Sequence, residues 1–377
     1  MDLKIERLVS GAKGLSHING KTVFVEGALA GELVECDIID EKHGYIEAIA
    51  KNIIEPSPDR IKPICPYYGN CGGCDFQIVS PEVSARYKEE IVKDNLKRIA
   101  KITSLPEFDS PCYGPFENYR SRARVHVDLK SKRQGFLAKN SNKLVDIDFC
   151  PALDGKLNDL LGQRSGVLFA EARRKMFENK INKATGFAEI ALFSGDSDVS
   201  LGNEDVVVTV CGLKYHVNAD VFFQSNLALL PSLLSFVKEN AIGDSIMDLY
   251  SGVGTFSALF TDKHVYAVEK QKECLRLSEK NAPNAISYTS DVAVFAKKTK
   301  EKVDTVIVDP PRVGLAEGVA ELISSWEPEK IIYISCNSVT ASRDIPLFNG
   351  YCIKRAKVFD FYPGSSHEES AFVLARI

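Results

Sequence analysis

A cysteine near the C-terminal end of the chain directly follows a strongly apolar run. Residues 331–335 predict a buried β-strand, and Cys336 stands at its end. An ionised thiol is the most nucleophilic ordinary side chain, and open α/β sheets bind ligands at the carboxyl ends of their strands. A strand-end cysteine is more often an inert apolar residue, so Cys336 is a candidate nucleophile only where its neighbours supply matching chemistry.

Two acidic positions could assist such a nucleophile. The apolar run 305–308 ends at Asp309, and the two prolines that follow predict a stiff turn that holds the carboxylate in one orientation. Glu369 lies in a polar stretch that we expect to form a loop ahead of a closing strand at residues 371–376. It is the candidate general base, and Glu368 and His367 are the alternative candidates for this role. The alternative is that these adjacent acids only form solvated surface.

These residue types fit methylation of a pyrimidine carbon. C5 of uracil is too weak a nucleophile to attack a sulfonium methyl group, whereas a thiolate that adds to C6 turns the base into an enolate whose C5 is nucleophilic. A general base must then remove the C5 proton so that the thiolate can leave. Cys336 and Glu369 are the candidates for these two roles, and Asp309 could contact the base edge or the cofactor. Arg312 stands where amino-group methyltransferases carry an aromatic residue, which argues against methylation of a nitrogen.

A glycine-containing turn predicts the site of the methyl donor. The apolar run 246–249 leads into Gly252 and Gly254, which allow the backbone to approach a ligand closely. Glu269 ends the next strand about twenty residues after the turn, where it can accept from both ribose hydroxyls of a nucleoside. Asp291 lies one element further on and could accept from an adenine amino group. The turn lacks the third glycine or the Gly-Lys-Ser/Thr ending of phosphate-binding loops, which favours S-adenosylmethionine over a dinucleotide.

A group of cysteines predicts a metal site. Cys65, Cys71 and Cys74 form C-x₅-C-x₂-C with glycines between them, and Cys150 could supply a fourth thiolate. Four thiolates fit either zinc or an iron–sulfur cluster. Structural zinc sites usually pair two short C-x₂-C segments, and only one is present here, so the spacing favours iron–sulfur. Four unligated buried cysteines are the alternative.

The elements that must position these residues change in type along the chain. Short strands broken by glycines over residues 3–55 are typical of a small closed β-barrel, and the proline-containing stretch 55–59 predicts a linker. We then expect, in chain order, a helix at 80–100 capped by Ser80, β structure at 119–150, a helix at 156–179 and β structure at 186–222. The final third alternates strands and helices, which predicts a mostly parallel, doubly wound sheet.

Composition indicates a globular protein with a local positive patch. The chain has 377 residues, 45% of them hydrophobic, without a membrane-length apolar run or a signal peptide, so we expect a cytoplasmic protein that is a monomer and does not contact membranes. Its net charge of -4 argues against a globally basic nucleic-acid binder. Residues 120–143 nevertheless contain eight Lys or Arg and a single Asp. There, Arg120, Arg122 and Arg124 would share one strand face able to meet RNA phosphates, or form only a solvated strand edge.

Five motifs, in their order and spacing, resemble those of the RNA uracil-5-methyltransferases. They are Gln224 within residues 222–226, the turn 248–255, residues 309–312, residues 335–337 and the tail 367–370. The resemblance covers essentially the whole chain. It implies Cys336 as nucleophile and Glu369 as proton-abstracting base. It also implies that Gln224, Tyr250, Glu269, Asp291 and Asp309 surround the cofactor and the target base.

The same resemblance implies a fold class and a partner. We expect an α/β, Rossmann-like methyltransferase domain at residues 221–377, preceded by a TRAM-like, OB-like β-barrel at 1–56 and by a mostly β central domain at 57–220 that carries a [4Fe-4S] cluster. The helix at 80–100 could pack on the catalytic domain. The partner would be structured RNA with a flipped-out uridine, either 23S rRNA, which we favour, or the T-loop of tRNA.

Three positions depart from the family pattern. Ser338 follows Asn337 where the family usually has proline, residues 364–366 replace a more usual His-Thr-x, and Glu368 stands in place of an apolar residue. Two rival interpretations stay open. One is a different class of S-adenosylmethionine-dependent RNA methyltransferase, which would act on an amino group or a ribose, and the other is a non-catalytic iron–sulfur RNA-binding protein.

Overall fold

The computed structural model describes residues 1–163, 166–178 and 186–377. Strands within this part of the chain form four sheets of six, five, two and eight strands. None of the helices described is both long enough and apolar enough to cross a membrane.

The six-stranded sheet at the N-terminus closes on itself. Its strands are β1 (Asp2–Lys4), β2 (Arg7–Val9), β3 (Lys13–Ile18), β4 (Lys21–Glu26), β5 (Leu33–Glu41) and β6 (Tyr45–Glu55). In the order β1-β5-β6-β4-β3-β2 the two edge strands belong to one short stretch of chain, and Ser16 Oγ donates to Lys4 O at 2.8 Å across the seam. Alternate side chains such as Val23, Val25 and Ala48 fill the interior. The structure confirms the small β-barrel.

One long helix connects the barrel to the rest of the molecule. Helix α1 (Pro81–Arg98) begins where Ser80 Oγ accepts a hydrogen bond from Val83 N at 3.3 Å, with a proline in its first turn. A two-residue strand, β7 (Glu107–Phe108), follows. The helix expected at 80–100 is confirmed; it ends at Arg98, and Ile99, which follows as its C-cap residue, is 39% exposed.

An antiparallel five-stranded sheet occupies the middle of the chain. Its elements are β8 (Arg122–Asp128), β9 (Arg133–Leu137), β10 (Leu144–Asp146), helices α2 (Gly155–Gly162) and α3 (Val167–Phe177), β11 (Phe187–Ser194) and β12 (Val199–Ser200). The strand order is β10-β9-β8-β11-β12, and Leu157, Leu161 and Phe169 of the two helices pack with its buried side chains. Two helices therefore replace the single one expected at 156–179, whose residues 164, 165 and 179 lie outside the described part of the chain.

A short hairpin packs on the C-terminal α/β unit. Its strands are β13 (Val206–Val210) and β14 (Leu213–Val217). The Tyr215 hydroxyl donates to Thr255 O at 3.1 Å, and the Asn281 side chain bonds both backbone groups of His216. Its buried side chains pack with those of the C-terminal α/β unit and with Ala191 and Phe193 of β11. Asp196 N, after β11, also donates to Val207 O at 2.8 Å, so the hairpin contacts elements on both sides of the boundary expected at residue 220.

The C-terminal part forms an eight-stranded sheet flanked by helices. Its elements are α4 (Leu230–Asn240), β15 (Ser245–Leu249), β16 (His264–Glu269), α5 (Lys272–Asn281), β17 (Ile286–Thr289), α6 (Val292–Lys298), β18 (Thr305–Val308), α7 (Val319–Ser325), β19 (Lys330–Ser335), α8 (Ser338–Asp344), β20 (Tyr351–Phe359) and β21 (Glu369–Arg376). The order is β17-β16-β15-β18-β19-β21-β20-β7, with the first five strands parallel and β21 antiparallel to both of its neighbours. The strands that follow β15 in the chain lie on both sides of it in the sheet. The carboxyl end of β15 is therefore the topological switch point, where such sheets bind ligands. The expected doubly wound sheet is confirmed, and the connection from β15 to β16 contains a 3₁₀ turn at Ser257–Leu259 in place of a full helix.

Helix α1 packs on this α/β unit. Its Lys88 forms an ion pair with Asp360 at 2.5 Å, and the two side chains are 1% and 0% exposed. Ser84 Oγ donates to the same carboxylate at 2.8 Å. Because a buried charge without a partner is costly, this pair holds the helix tightly against the end of β20.

Candidate active site

The nucleophile candidate and the base candidate face each other across two paired strands. Strands β19 and β21 are antiparallel, and their last aligned pair is Ser335 with Ser370. Continuing this register by one residue places Cys336 opposite Glu369, and opposed side chains in an antiparallel pair point to the same face. Cys336 is partly buried and Glu369 is 4% exposed.

The structure corrects the expected environment of Glu369. It is the first residue of β21, not part of a loop, and the closing strand begins at residue 369 instead of 371. Both Glu368 and Glu369 are buried, so the alternative of a solvated acidic surface does not hold for them.

Asp309 completes an acidic environment around the thiol. It follows β18, the strand next to β19, and its backbone N–H donates to Leu249 O at 3.3 Å. Burial raises the pKa of Asp309, and burial together with the charge of Asp309 raises the pKa of Glu369 well above its usual value. Burial, followed by the charges of Glu369 and Asp309, raises the pKa of Cys336 to about 12, while Arg312 lowers it. The thiol is therefore neutral in the free protein, and Arg312 is the positive charge that favours its ionisation.

The two alternative candidates for the base form hydrogen bonds with other residues. His367 Nδ1 accepts a hydrogen bond from the Arg312 guanidinium at 2.8 Å. Glu368 Oε1 accepts from the backbone N–H of Ser338 at 2.9 Å and from its hydroxyl. Of the three tail candidates, Glu369 is the residue that stands opposite Cys336.

The predicted cofactor turn adopts a conformation open to a ligand. Tyr250, Gly252 and Gly254 all have positive φ, at 60°, 55° and 80°. A Cβ at Gly254 would lie 2.7 Å from Ser278 Oγ, so this position requires glycine, whereas the corresponding position at Gly252 has no atom within 4 Å. The turn is therefore closely packed at Gly254 and has open space beside Gly252.

The two predicted cofactor carboxylates shape this region. Glu269 accepts from Gly252 N at 3.2 Å and from Gln271 N at 2.7 Å, so it anchors the turn and keeps lone pairs available. Asp291 is exposed at the start of α6, where one of its oxygens accepts from Ala293 N at 2.9 Å. Each acid therefore has a structural contact and remaining capacity to accept hydrogen bonds.

Several buried polar atoms lack partners, two of them in or beside the turn. Gln224 Oε1, Asp248 Oδ1 and Ser251 Oγ find no hydrogen-bond partner in the described part of the chain. Such atoms are rare in folded proteins and point to a ligand or water that satisfies them. Asp248 is fully buried, which raises its pKa to about 7, and its other oxygen accepts from Ser257. The sequence analysis did not single out Asp248, although an acid within an apolar strand was a visible signal.

All four predicted metal-binding cysteines line one cavity of about 650 Å³. Burial raises the pKa values of Cys71, Cys74 and Cys150, and in each case another thiol of the group raises it further. Gly73 N donates to Cys71 Sγ at 3.4 Å, the kind of bond that stabilises a thiolate ligand. Among the residues described, no group of three His, Cys, Asp or Glu side chains is arranged to hold a metal ion. The four thiols therefore line one cavity without forming a metal site in this structure.

The three predicted RNA-binding arginines also line this cavity, but not as one strand face. Arg120 precedes β8 and donates to Arg122 O at 3.0 Å. Arg122 begins β8 and donates to Ala219 O at 3.1 Å, and Arg124 pairs with Glu189. Arg122 and Arg124 do share a face, whereas Arg120 lies outside the strand, which corrects the expectation for that residue.

Comparisons with known proteins match this architecture along its length. A model of the TRAM domain matches residues 1–51, and a model of tRNA (uracil-5-)-methyltransferases matches residues 296–377. An uncharacterised RNA methyltransferase of Aquifex aeolicus is 31% identical over 99% of this chain and 98% of that protein. A 23S rRNA (uracil(1939)-C(5))-methyltransferase of Shewanella amazonensis is 30% identical over 97% of this chain and 94% of that protein.

A solved structure has the same fold. It is the Pyrococcus abyssi tRNA (uracil-54, C5)-methyltransferase in complex with S-adenosyl-L-homocysteine, which matches with a TM-score of 0.74 and 21% identity over 100% of this chain and 99% of that one. The N-terminal barrel is accordingly a TRAM domain. Together with the two relatives that align over almost the whole chain, these matches show that the protein belongs to the RNA uracil-C5-methyltransferase family of enzymes.

Proposed function

We propose that the protein methylates C5 of a uridine in RNA through a covalent bond between Cys336 and C6 of the base. The observation that carries this proposal is the strand register that places Cys336 opposite Glu369 at the carboxyl edge of the sheet. A nucleophile and a buried carboxylate on one face are what this reaction requires of the protein.

The first step is the attack on the base. After the thiol has lost its proton to solvent, Cys336 Sγ forms a bond to C6, and the electrons of the C5–C6 double bond move towards O4. Arg312 assists because its charge lowers the pKa of the thiol. Asp309, held by two following prolines, lies close enough to affect both Cys336 and Glu369 electrostatically and is suited to contact the edge of the uracil.

The last step is the removal of the C5 proton. Glu369 accepts this proton, the C5–C6 double bond forms again, and the bond between C6 and sulfur breaks. Burial and the neighbouring charge of Asp309 raise the pKa of Glu369, which makes its ionised form a stronger base than an ordinary carboxylate. The proton then passes to solvent, and the thiolate is restored.

S-adenosylmethionine, when bound, supplies the electrophilic methyl group. The turn after β15 is suited to it, because the space beside Gly252 is open and Gln224 Oε1 is buried without a partner among the residues described. We assign its contacts to Gln224, Tyr250, Gly252, Gly254, Glu269, Asp291 and Asp309.

We also propose that Cys65, Cys71, Cys74 and Cys150 hold a [4Fe-4S] cluster. Four thiols line one cavity, and four thiolates are the ligand set of such a cluster. The cluster would join the segments on either side of β8 and stabilise the central sheet. Anaerobic reconstitution with iron and sulfide should give a visible absorbance band that Cys74→Ala loses and Cys352→Ala, a change at a cysteine outside the cavity, keeps.

The RNA would reach the site along the TRAM domain and the central sheet. Arg120, Arg122 and Arg124 are the proposed phosphate contacts, and the target uridine must leave its stack to reach Cys336. We favour 23S rRNA as substrate because the Shewanella amazonensis relative, which is 30% identical over 97% of this chain, is named for that RNA. The tRNA T-loop is the second candidate, since the family model and the similar solved structure are named for tRNA.

One expression experiment tests both the reaction and the target. The protein is produced in cells that lack their own uracil-5-methyltransferases, and 5-methyluridine is mapped in rRNA and tRNA by mass spectrometry. We expect it at a single position in 23S rRNA, and release of tritium from C5-labelled uridine in vitro. RNA with 5-fluorouridine should form an adduct with Cys336 that Cys336→Ala loses and Cys352→Ala keeps. Methyl groups found only on nitrogen or ribose would refute the proposal.

A further inference from the structure

A direct contact joins the segment that carries Cys336 to the segment that carries Glu369. Glu368 precedes Glu369, is 8% exposed, and has no role in the steps proposed above. Its Oε1 accepts the backbone N–H of Ser338 at 2.9 Å and also the Ser338 hydroxyl. Ser338 is fully buried and is the first residue of α8, directly after Asn337. The contact therefore spans the two strand ends at the level of the reacting residues.

The same serine hydroxyl is bonded from the other side. Asn95 of α1 donates one amide hydrogen to Ser338 Oγ at 2.6 Å and the other to Ser10 Oγ at 2.9 Å. A continuous chain of hydrogen bonds thus runs from the barrel through α1 to Ser338 and Glu368. The Ser338 hydroxyl hydrogen and both Asn95 amide hydrogens have acceptors in this partly buried arrangement.

Ser338 and Glu368 are also two of the positions at which this chain departs from its family's pattern. A proline at position 338 would present no backbone N–H, and an apolar residue at 368 would offer no acceptor. Here the serine brings two donors and the glutamate brings the oxygen that receives both. A buried donor without an acceptor is costly, so either departure alone would leave a polar group unsatisfied. The two side chains therefore complement each other in this chain.

We propose that Glu368 is a positioning residue that, by binding Ser338, holds Cys336 opposite Glu369 at the separation that C5 methylation requires. This inference rests on the proposed function. Its physical reason is that reacting groups must stay in a near-attack arrangement, which small displacements of a supporting segment destroy. Cys336 follows β19 and precedes α8, so Ser338 is the nearest downstream anchor of its backbone.

The charge of Glu368 provides a second, independent signal. The charged groups that act on Glu368 are Lys88 and Arg312, and those that act on Glu369 are Asp309, Glu368 and Arg312. The negative charge of Glu368 contributes to the raised pKa of Glu369. Glu368→Gln removes that charge but keeps the oxygen that accepts both bonds from Ser338. The base should then ionise at lower pH while the position of Cys336 is kept.

Three variants separate these effects in steady-state assays with RNA. Glu368→Leu should lower kcat by about 10- to 100-fold, the range expected for displaced catalytic groups, and leave KM for RNA unchanged. Ser338→Pro combined with Glu368→Leu should recover most of this loss, because proline needs no acceptor and is favoured at the first position of a helix. Glu368→Gln should keep kcat at high pH and shift the acidic limb of the kcat–pH profile to lower pH.

Asp344 offers a matched control at the other end of α8. It is a buried carboxylate that also accepts from one backbone N–H, Leu315 N at 2.7 Å, and one hydroxyl, that of Tyr333 at 2.8 Å. Asp344→Leu should lower the thermal midpoint, and Ser338→Pro should not restore it. Asp344→Asn should leave the acidic limb of the profile where it is in the wild type.

The outcomes distinguish this inference from the proposed function. If Glu368→Leu keeps wild-type kcat, or if the double variant recovers neither activity nor folding, Glu368 does not position Cys336. If the wild type forms the fluorouridine adduct and Glu368→Leu forms it equally fast, the positioning role alone is overturned. If the wild type forms no adduct and Cys336→Ala still methylates RNA, the proposed function fails first.

Discussion

Replacing Glu369 by glutamine should stop the enzyme after methyl transfer. The variant keeps a side chain of the same size at the first position of β21, so the pairing of this strand with β19 and β20 is preserved. It removes the group that accepts the C5 proton. The methylated base should therefore stay bonded to Cys336 on natural uridine RNA, without any fluorinated analogue.

Two opposing effects set the size of the change. Loss of a general base lowers turnover by about 10²- to 10⁴-fold, and this factor falls entirely on the breakdown of the adduct. After burial, the charge of Glu369 is the largest cause that raises the pKa of Cys336, so a neutral amide lowers that pKa and favours the thiolate. Attack on C6 should be at least as fast as in the wild type. Slow breakdown with unimpaired formation means that the adduct accumulates.

The assay is a denaturing gel of enzyme mixed with RNA and S-adenosylmethionine, followed by mass spectrometry of the slow-migrating band. We expect Glu369→Gln to give a stable band whose RNA carries one extra methyl group, and Cys336→Ala with Glu369→Gln to give none. The wild type should show little of this band because its adduct breaks down. Normal turnover by Glu369→Gln would contradict the assignment of the base, and a band without the added methyl group would place the block before methyl transfer.

Three further predictions concern stability and cofactor binding. Burial raises the pKa of Glu369 above 4.5 in the folded protein, so the stability gained from its protonated form is lost as pH rises. Glu369→Gln should therefore raise the thermal midpoint more at about pH 8 than at about pH 4.5. An equal rise at both pH values would contradict this. Lys88→Met should leave Asp360 buried without its cation and cost about 3–5 kcal/mol in urea unfolding, which Lys88→Met with Asp360→Leu should partly recover. Gly254→Ala places a Cβ 2.7 Å from Ser278 Oγ at a φ of 80° and should weaken S-adenosylmethionine binding measured by calorimetry, whereas unchanged affinity would place the cofactor elsewhere.

The parts of the site that follow local patterns were predictable from sequence. Cys336 and Asp309 each end an apolar run, and in a parallel sheet neighbouring strands deliver such residues to the same edge. The turn at Gly252 and Gly254 was visible for the same reason. The clustered cysteines were recognisable by residue type and spacing, and they do line one cavity.

The parts that depend on distant partners were not predictable. The polar composition of the tail around Glu369 predicts a loop. The strand β21 nevertheless begins at this residue, because β19 and β20 pair with it on both sides. The hairpin β13–β14 lies within the β structure expected at residues 186–222. It nevertheless packs on α5 and on the turn after β15 in the α/β unit. Arg120 matches the alternation of a strand, although the strand begins at Arg122.

The sequence by itself determined which chemistry is available and which strand ends and turn carry it. A thiol, a set of carboxylates and a glycine turn at strand ends are local features, encoded in residue type and apolar periodicity. Only the tertiary structure decided that Cys336 stands opposite Glu369, that Glu368 binds Ser338, and that these acids are buried. The reason is physical: nucleophilicity and basicity depend on desolvation and on charges contributed by segments that are far apart in the chain, and only folding brings them together.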